Sequence, residues 1–228
     1  MAPDDEVLRR LVTERRGHIV AAAGCGKTEL IAKAVRVMTT GRHLVLTHTH
    51  AGVDALRRRM HRFGIPGSAY RVETIAGWAL RYARAYPGMS GFRKEMPRGD
   101  DWPEVYAAAA RLVERRAIRS VITGSYSGVC VDEYQDCSKR QHELILALAE
   151  LIPVRVLGDP LQGIFDFPKG DQQVDWTTDV VARFPLLGSL TTPHRWATKN
   201  PELGRWLLSA RVALERGEPL NLVGAPVT

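Results

Sequence analysis

The sequence predicts an α/β fold built on a parallel sheet with helices on both faces. Short apolar runs alternate with amphipathic helical patterns along most of its 228 residues, as a parallel sheet with crossover helices requires. The first apolar run opens through a loop of small residues into a helix, "GHIVAAAGCGKTEL", and a later one ends in adjacent carboxylates, "GVCVDE".

In chain order, strands are expected at Gly17–Ala23, His43–Thr49, Tyr70–Ile75, Ser127–Glu133 and Val154–Asp159, where apolar and β-branched residues form short runs. Helices are expected at Thr28–Thr40, Ala51–Phe63, Ala76–Tyr86, Trp102–Ile118 and Ser138–Ile152. Gly64 and Pro66 end the second of these, and a Gly/Pro/charge-rich stretch from Pro87 to Pro103 precedes the fourth. The remainder to about Pro185 reads as loop-rich, and no repeat or low-complexity tract is apparent.

With 45% hydrophobic residues the chain is expected to fold as a globule. It has no apolar run long enough to span a bilayer, and "MAPDDEVLRR" lacks a signal peptide's apolar stretch, so a cytoplasmic protein without membrane contact is expected. Cys25, Cys130 and Cys137 are odd in number and lack C-x-x-C spacing, which argues for free thiols. Basic residues exceed acidic ones, 32 Lys+Arg to 25 Asp+Glu, for a net charge of +7. The excess gathers in "ALRRRMHR", "LRYARAY" and "RLVERRAIR", which suits either a polyanion partner or a solvated helix surface.

The chemistry-bearing residues follow from this layout. A small-residue loop between strand and helix aims backbone N–H groups and the positive end of the helix dipole at a phosphate. Ala22, Ala23, Gly24, Cys25, Gly26, Lys27, Thr28 and Glu29 form this cradle, with Ala21 where the usual pattern has glycine. Lys27 is placed to neutralise β- and γ-phosphate oxygens, and Thr28 to offer its hydroxyl to Mg²⁺. An acidic pair at the C-terminal edge of a parallel sheet reaches the same nucleotide. Asp132 is assigned to the metal, and Glu133 to taking the proton of the attacking water.

"VDEYQDCSKRQHELI" and "LGDPLQGIFDF" resemble the UvrD/Rep-type superfamily-one DNA helicases, in which an Asp-Glu-x-Gln-Asp block and a Gly-Asp-x-x-Gln block follow the phosphate loop in this order. The resemblance runs from Ile19 to about Leu208 and implies the first RecA-like motor domain, a P-loop NTPase using ATP and Mg²⁺. It implies that Gln162 senses the γ-phosphate and that Arg195, in "LTTPHRWATKN", contacts it. Single-stranded DNA, or a duplex with a single-stranded tail, is the implied partner, touched by Thr47, His48, Thr74 and Phe167. For Thr74 the alternative is a helix cap.

The sequence also departs from that pattern. Ala51 and Ala76 stand where the family has lysine and histidine, and "PHRW" replaces Asn-Tyr-Arg-Ser. No glutamine precedes the phosphate loop in the context that reads adenine. Residues 1–228 are expected to form one domain with a reduced helical insertion at about 86–120. The second motor domain is expected from elsewhere, in cis or from a partner chain. Three classes are compatible with this reading: a DNA-stimulated ATPase and helicase half, a nucleotide-gated DNA-binding subunit of a repair or antiviral complex, and a regulatory protein on a retained fold. Retention of both Lys27 and Glu133 favours the first, because a binding module needs no general base.

Overall fold

A computed structural model describes residues 3–163, 171–220, 222 and 225–226. Among them, six strands form one all-parallel sheet in the order β3-β2-β4-β5-β1-β6. The strands are β1 (Arg16–Ala21), β2 (His43–Thr47), β3 (Tyr70–Thr74), β4 (Gly128–Val131), β5 (Val154–Gly158) and β6 (Leu186–Leu190). The helices are α1 (Pro3–Thr13), α2 (Lys27–Val37), α3 (His50–Arg62), α4 (Ile75–Ala85), α5 (Pro87–Ser90), α6 (Trp102–Glu114), α7 (Arg116–Ser125), α8 (Lys139–Ala149) and α9 (Pro201–Glu215).

The alternation of strand side chains divides the core into two layers. Leu44, Leu46, Val129, Val131, Val154 and Val156 pack with α4, α6 and α8. Val45, Val72, Cys130, Leu157 and Ile19 belong to the other layer, with α1, α2 and α3. β2, β4 and β5 are buried along their whole length, so their sequences read as continuous apolar runs. This is the expected α/β class, a parallel sheet with helices on both faces. Among the described residues no helix is long and apolar enough to cross a membrane.

Four elements were not anticipated from the sequence: α1, α5, β6 and α9. α1 is short and charge-rich, but Leu11 and Val7 bury it against β6 and the loop-bearing layer. β6 carries Gly188, and its pairing with β1 is irregular between His18 and Ile19, which breaks the period-2 signal. A π-helical turn at Trp176–Val181 also lies within the stretch expected to be loop-rich.

The single helix expected over Trp102–Ile118 is two helices. Arg115 adopts an extended conformation (φ −76°, ψ 128°) between α6 and α7. The change of direction lets α7 bury Ile118 and Ile122, while α6 buries Val105, Ala108, Ala109 and Leu112 between α4 and α8. The segment at about 86–120 is therefore built into the core layer on one face of the sheet.

Candidate functional site

The C-terminal ends of β1, β4 and β5 meet at one edge of the sheet, and each delivers one part of the site. After β1 the chain turns through Gly24 (φ 79°) and Gly26 (φ 92°), left-handed positions that glycine adopts without a Cβ penalty. A Cβ on Gly24 would also lie 2.8 Å from the Cβ of Arg195, whose own N–H donates to the Gly24 carbonyl at 3.1 Å. Gly26 is the N-cap of α2, which places Lys27 and Thr28 in its first turn. The amide N–H groups of this loop and turn are the cradle expected for a phosphate.

After β4 come Asp132 and Glu133. Thr28 Oγ1 donates to Asp132 Oδ2 at 3.2 Å, joining the first turn of α2 to the end of β4. Lys27 Nζ lies 3.3 Å from Glu133 Oε2 and donates to the Ala21 carbonyl at 3.1 Å. Glu133 is the one non-glycine residue with positive φ among the described residues (φ 53°, ψ 44°). A bulky side chain on left-handed backbone is held there by its surroundings, and such strain concentrates at functional sites.

Burial, together with the neighbouring Glu133 carboxylate, pushes Asp132 up to about 7, although Lys27 and the hydrogen bonds from Thr28 and the Glu133 N–H oppose the rise. Asp136 rises to about 6, again through burial and then Glu133. Its Oδ1 is buried without a partner among the described residues. Three carboxylates thus face one lysine, a charge imbalance that a cation would relieve. Among the described residues no group of three or more His, Cys, Asp or Glu side chains could hold a metal ion. The hydroxyl of Thr28 and the carboxylate of Asp132 fit a hard divalent cation that takes its other ligands from phosphates and water.

After β5 comes Asp159, almost completely buried. Its Oδ2 accepts from the amide of Gln162, and its Oδ1 accepts from Arg211 Nη1 at 2.6 Å. Gln162, Arg195, His194, Arg59 and Glu133 then line the same cavity of about 460 Å³ as Ala22, Ala23, Gly24, Gly26, Lys27, Thr28 and Glu29. The structure therefore brings together the expected phosphate-loop, acidic and sensing residues around one hollow. Cys25 is buried beneath it, and all three cysteines are free thiols.

Gln135, left without a role in the sequence reading, bridges the acidic strand end. Its Nε2 donates to Glu133 Oε2 at 3.1 Å and to Asp136 Oδ2 at 3.3 Å, and its Oε1 accepts from the Asp159 N–H at 2.9 Å. It couples the ends of β4 and β5, and the signal was a buried amide two residues after the acidic pair. Arg59 was also missed. It pairs with Glu29 at 2.9 Å on the rim of the cavity.

The residues expected to touch a strand sit differently. Thr47 is buried at the end of β2, in register with Thr74 at the end of β3. Thr74 caps α4, accepting from the Gly77 N–H at 2.9 Å. His48 is partly buried, its Nε2 lies 3.6 Å from Cys137 Sγ, and burial lowers its pKa to about 4. Phe167 lies outside the described residues. A larger hollow of about 780 Å³ opens at the opposite end of the sheet, among Arg42, Arg71, Arg81 and Tyr126, but none of the phosphate-binding motifs reaches it.

Strand-end carboxylates facing a glycine-bearing phosphate loop define the class as a P-loop nucleotide-binding domain. The chain belongs to the AAA domain family (AAA_19), whose profile matches residues 4–168. No curated protein matches the chain. Among solved structures it is similar to the arterivirus nonstructural protein 10 (helicase) in complex with DNA, with 13% identity, a TM-score of 0.48, and coverage of 91% of this chain and 42% of that one. The structure of arterivirus nonstructural protein 10 (helicase) also matches, with 16% identity, a TM-score of 0.43, and coverage of 82% and 37%. The chain spans less than half the length of either.

Proposed function

We propose that this chain is the ATP-binding motor half of a UvrD/Rep-type DNA helicase, hydrolysing ATP to drive movement along or unwinding of DNA. The observation that carries the reading is the pair of contacts Thr28–Asp132 (3.2 Å) and Lys27–Glu133 (3.3 Å), which sets the phosphate loop against the acidic strand end. Gln162 and Arg195 line the same cavity.

In this reading Lys27 exchanges the Glu133 carboxylate for phosphate oxygens. That exchange frees Glu133 to hold the proton taken from the attacking water. Thr28 and Asp132 would hold Mg²⁺, which, when bound, supplies charge neutralisation on the phosphoryl oxygens. Gln135 keeps Glu133 oriented, and Gln162 and Arg195 offer donors where the transferring group gains charge. Single-stranded DNA is the proposed track, and a second RecA-like domain, in cis or from a partner chain, the proposed second half. Two domains closing and opening around nucleotide are what translocation needs.

The alternative is a nucleotide-gated DNA-binding subunit with little turnover. One observation favours it: in this structure the general base is already engaged by Lys27 and Gln135. Phosphate release from ATP, with and without single-stranded DNA and with Glu133→Gln as the blank, separates the two. Strand-stimulated release above the blank supports the motor, and binding without release supports the gated subunit. Release by Glu133→Gln at the parent rate removes the assigned base.

A further inference from the structure

The phosphate cavity does not account for Arg211. It sits in the third turn of α9, a helix the sequence did not announce, and its side chain is only 15% exposed. Its Nη1 donates to Asp159 Oδ1 at 2.6 Å, and its Nε pairs with Glu215 Oε1 at 2.9 Å. Its Nη2 is buried without a partner among the described residues. α9 buries little else of itself, since Gly204 is the one fully buried residue among those described in the helix. A buried guanidinium reaching into the sheet from a loosely packed helix invites a role beyond packing.

Asp159 supplies that role. This carboxylate is 1% exposed and divides its two oxygens between three donors. Oδ1 takes Arg211 and the Leu161 N–H (3.1 Å), while Oδ2 takes the side-chain amide of Gln162. Gln162 is the residue assigned to the γ-phosphate, and its amide cannot reach a phosphate at full strength while Asp159 holds it. A carboxylate whose charge is shared with a guanidinium is a weaker acceptor for the amide than one left alone. The Asp159 backbone N–H is fixed in turn by Gln135, which also holds Glu133. One connected path therefore runs from the general base through Gln135 and Asp159 to α9.

We infer that Arg211 is a positioning residue: by sharing the charge of Asp159 it weakens that carboxylate's hold on Gln162, so that the amide can turn to the γ-phosphate, and it ties that reading to α9. The inference rests on the functional reading above. It implies that the preference for ATP over ADP, rather than nucleotide affinity as such, depends on a residue outside the phosphate cavity.

The test is equilibrium binding of ATP and of ADP to the full 228-residue chain carrying Glu133→Gln, which prevents turnover. Arg211→Met is expected to weaken ATP about tenfold, the loss of one hydrogen bond to a charged group, and ADP less than about twofold. In a Gln162→Ala background the same substitution is expected to change neither, because its effect passes through Gln162. Should Arg211→Met fail to melt cooperatively, Arg211→Lys serves in its place. It keeps the cation but not the fork that reaches Asp159 and Glu215 together, and an ATP-selective loss of about threefold is expected. Equal weakening of both nucleotides, an unchanged ATP preference, or an effect that survives Gln162→Ala overturns the inference while leaving the motor reading intact. A parent chain that binds neither nucleotide overturns both.

Discussion

Two parts of the same sheet edge use polar residues in opposite ways. At the ends of β1, β4 and β5, Lys27 pairs with Glu133, Thr28 with Asp132 and Gln135 with the Asp159 N–H across elements, and Lys27, Thr28, Glu133 and Gln162 line the hollow beside them. At the ends of β2 and β3, Thr47 is buried, and Thr49 and Thr74 cap the helices that follow their strands. The first arrangement keeps polar groups together without satisfying their charge. The second satisfies each group locally. The contrast teaches that a motif residue at a strand end is read by its partners: cross-element bonds around a cavity mark chemistry, and caps mark stability.

The largest expected effect lies in the first region. Glu133→Gln is expected to lower ATP turnover by at least about 10³-fold while nucleotide affinity holds, because it removes the proton acceptor and keeps the shape. Single-turnover kinetics with a binding titration check this. A Thr74→Ala variant that lost turnover comparably would erase the contrast. Next comes Lys27→Ala, expected to weaken ATP binding about 10- to 100-fold by removing a charge-assisted contact to phosphate. Calorimetry reads that loss, and unchanged affinity would move the phosphates away from this loop.

The second region is expected to answer to pH and temperature instead. Burial holds His48 neutral, with its pKa lowered to about 4 from an ordinary value near 6.5. Outside this region burial also lowers His18, His43 and His142. The unfolded chain takes up these protons at higher pH than the folded one, so for His48 the stabilisation is present above pH 6.5 and is lost as pH falls from 6.5 towards 4. For His48 the loss is about 2 kcal/mol by pH 5. Urea unfolding of the parent and of His48→Gln across that range checks the slope, which the substitution should make shallower. The smallest effect is that of Thr74→Ala, about 0.5–1 kcal/mol of stability from a lost N-cap, with ATP binding unchanged. A weakened single-strand affinity without that stability loss would instead place Thr74 on the track.

The parts of the fold and site legible in the sequence are those where one stretch carries both a backbone requirement and a chemical one. "AAAGCGKTEL" needs glycines for its turns and Lys27 and Thr28 for its phosphates, and "GVCVDEYQD" joins a fully buried strand to an acidic end. α1, β6 and α9 were not legible because their signals are tertiary. α1 is fixed by Leu11 meeting the core, β6 by pairing with β1 through an irregular register, and α9 by Arg211 reaching Asp159. The break at Arg115 has no glycine or proline to announce it, and packing of Ile118 and Ile122 decides it. Gln135 was visible in the acidic block, but its position is set by the backbone N–H of Asp159, just past the end of β5.

The order of strands in the sheet has a consequence for how the protein comes into being. β1 carries the phosphate loop but lies between β5 and β6, which are made far later along the chain. His18 in β1 takes its partner from Phe184, 166 residues on, and Thr28 meets Asp132 across 104. During synthesis the loop after β1 therefore has no frame to hold it until residues 154–190 have emerged. Contacts so distant along the chain form slowly. The loop after β1 takes its final shape only when β5 and β6 close around that strand.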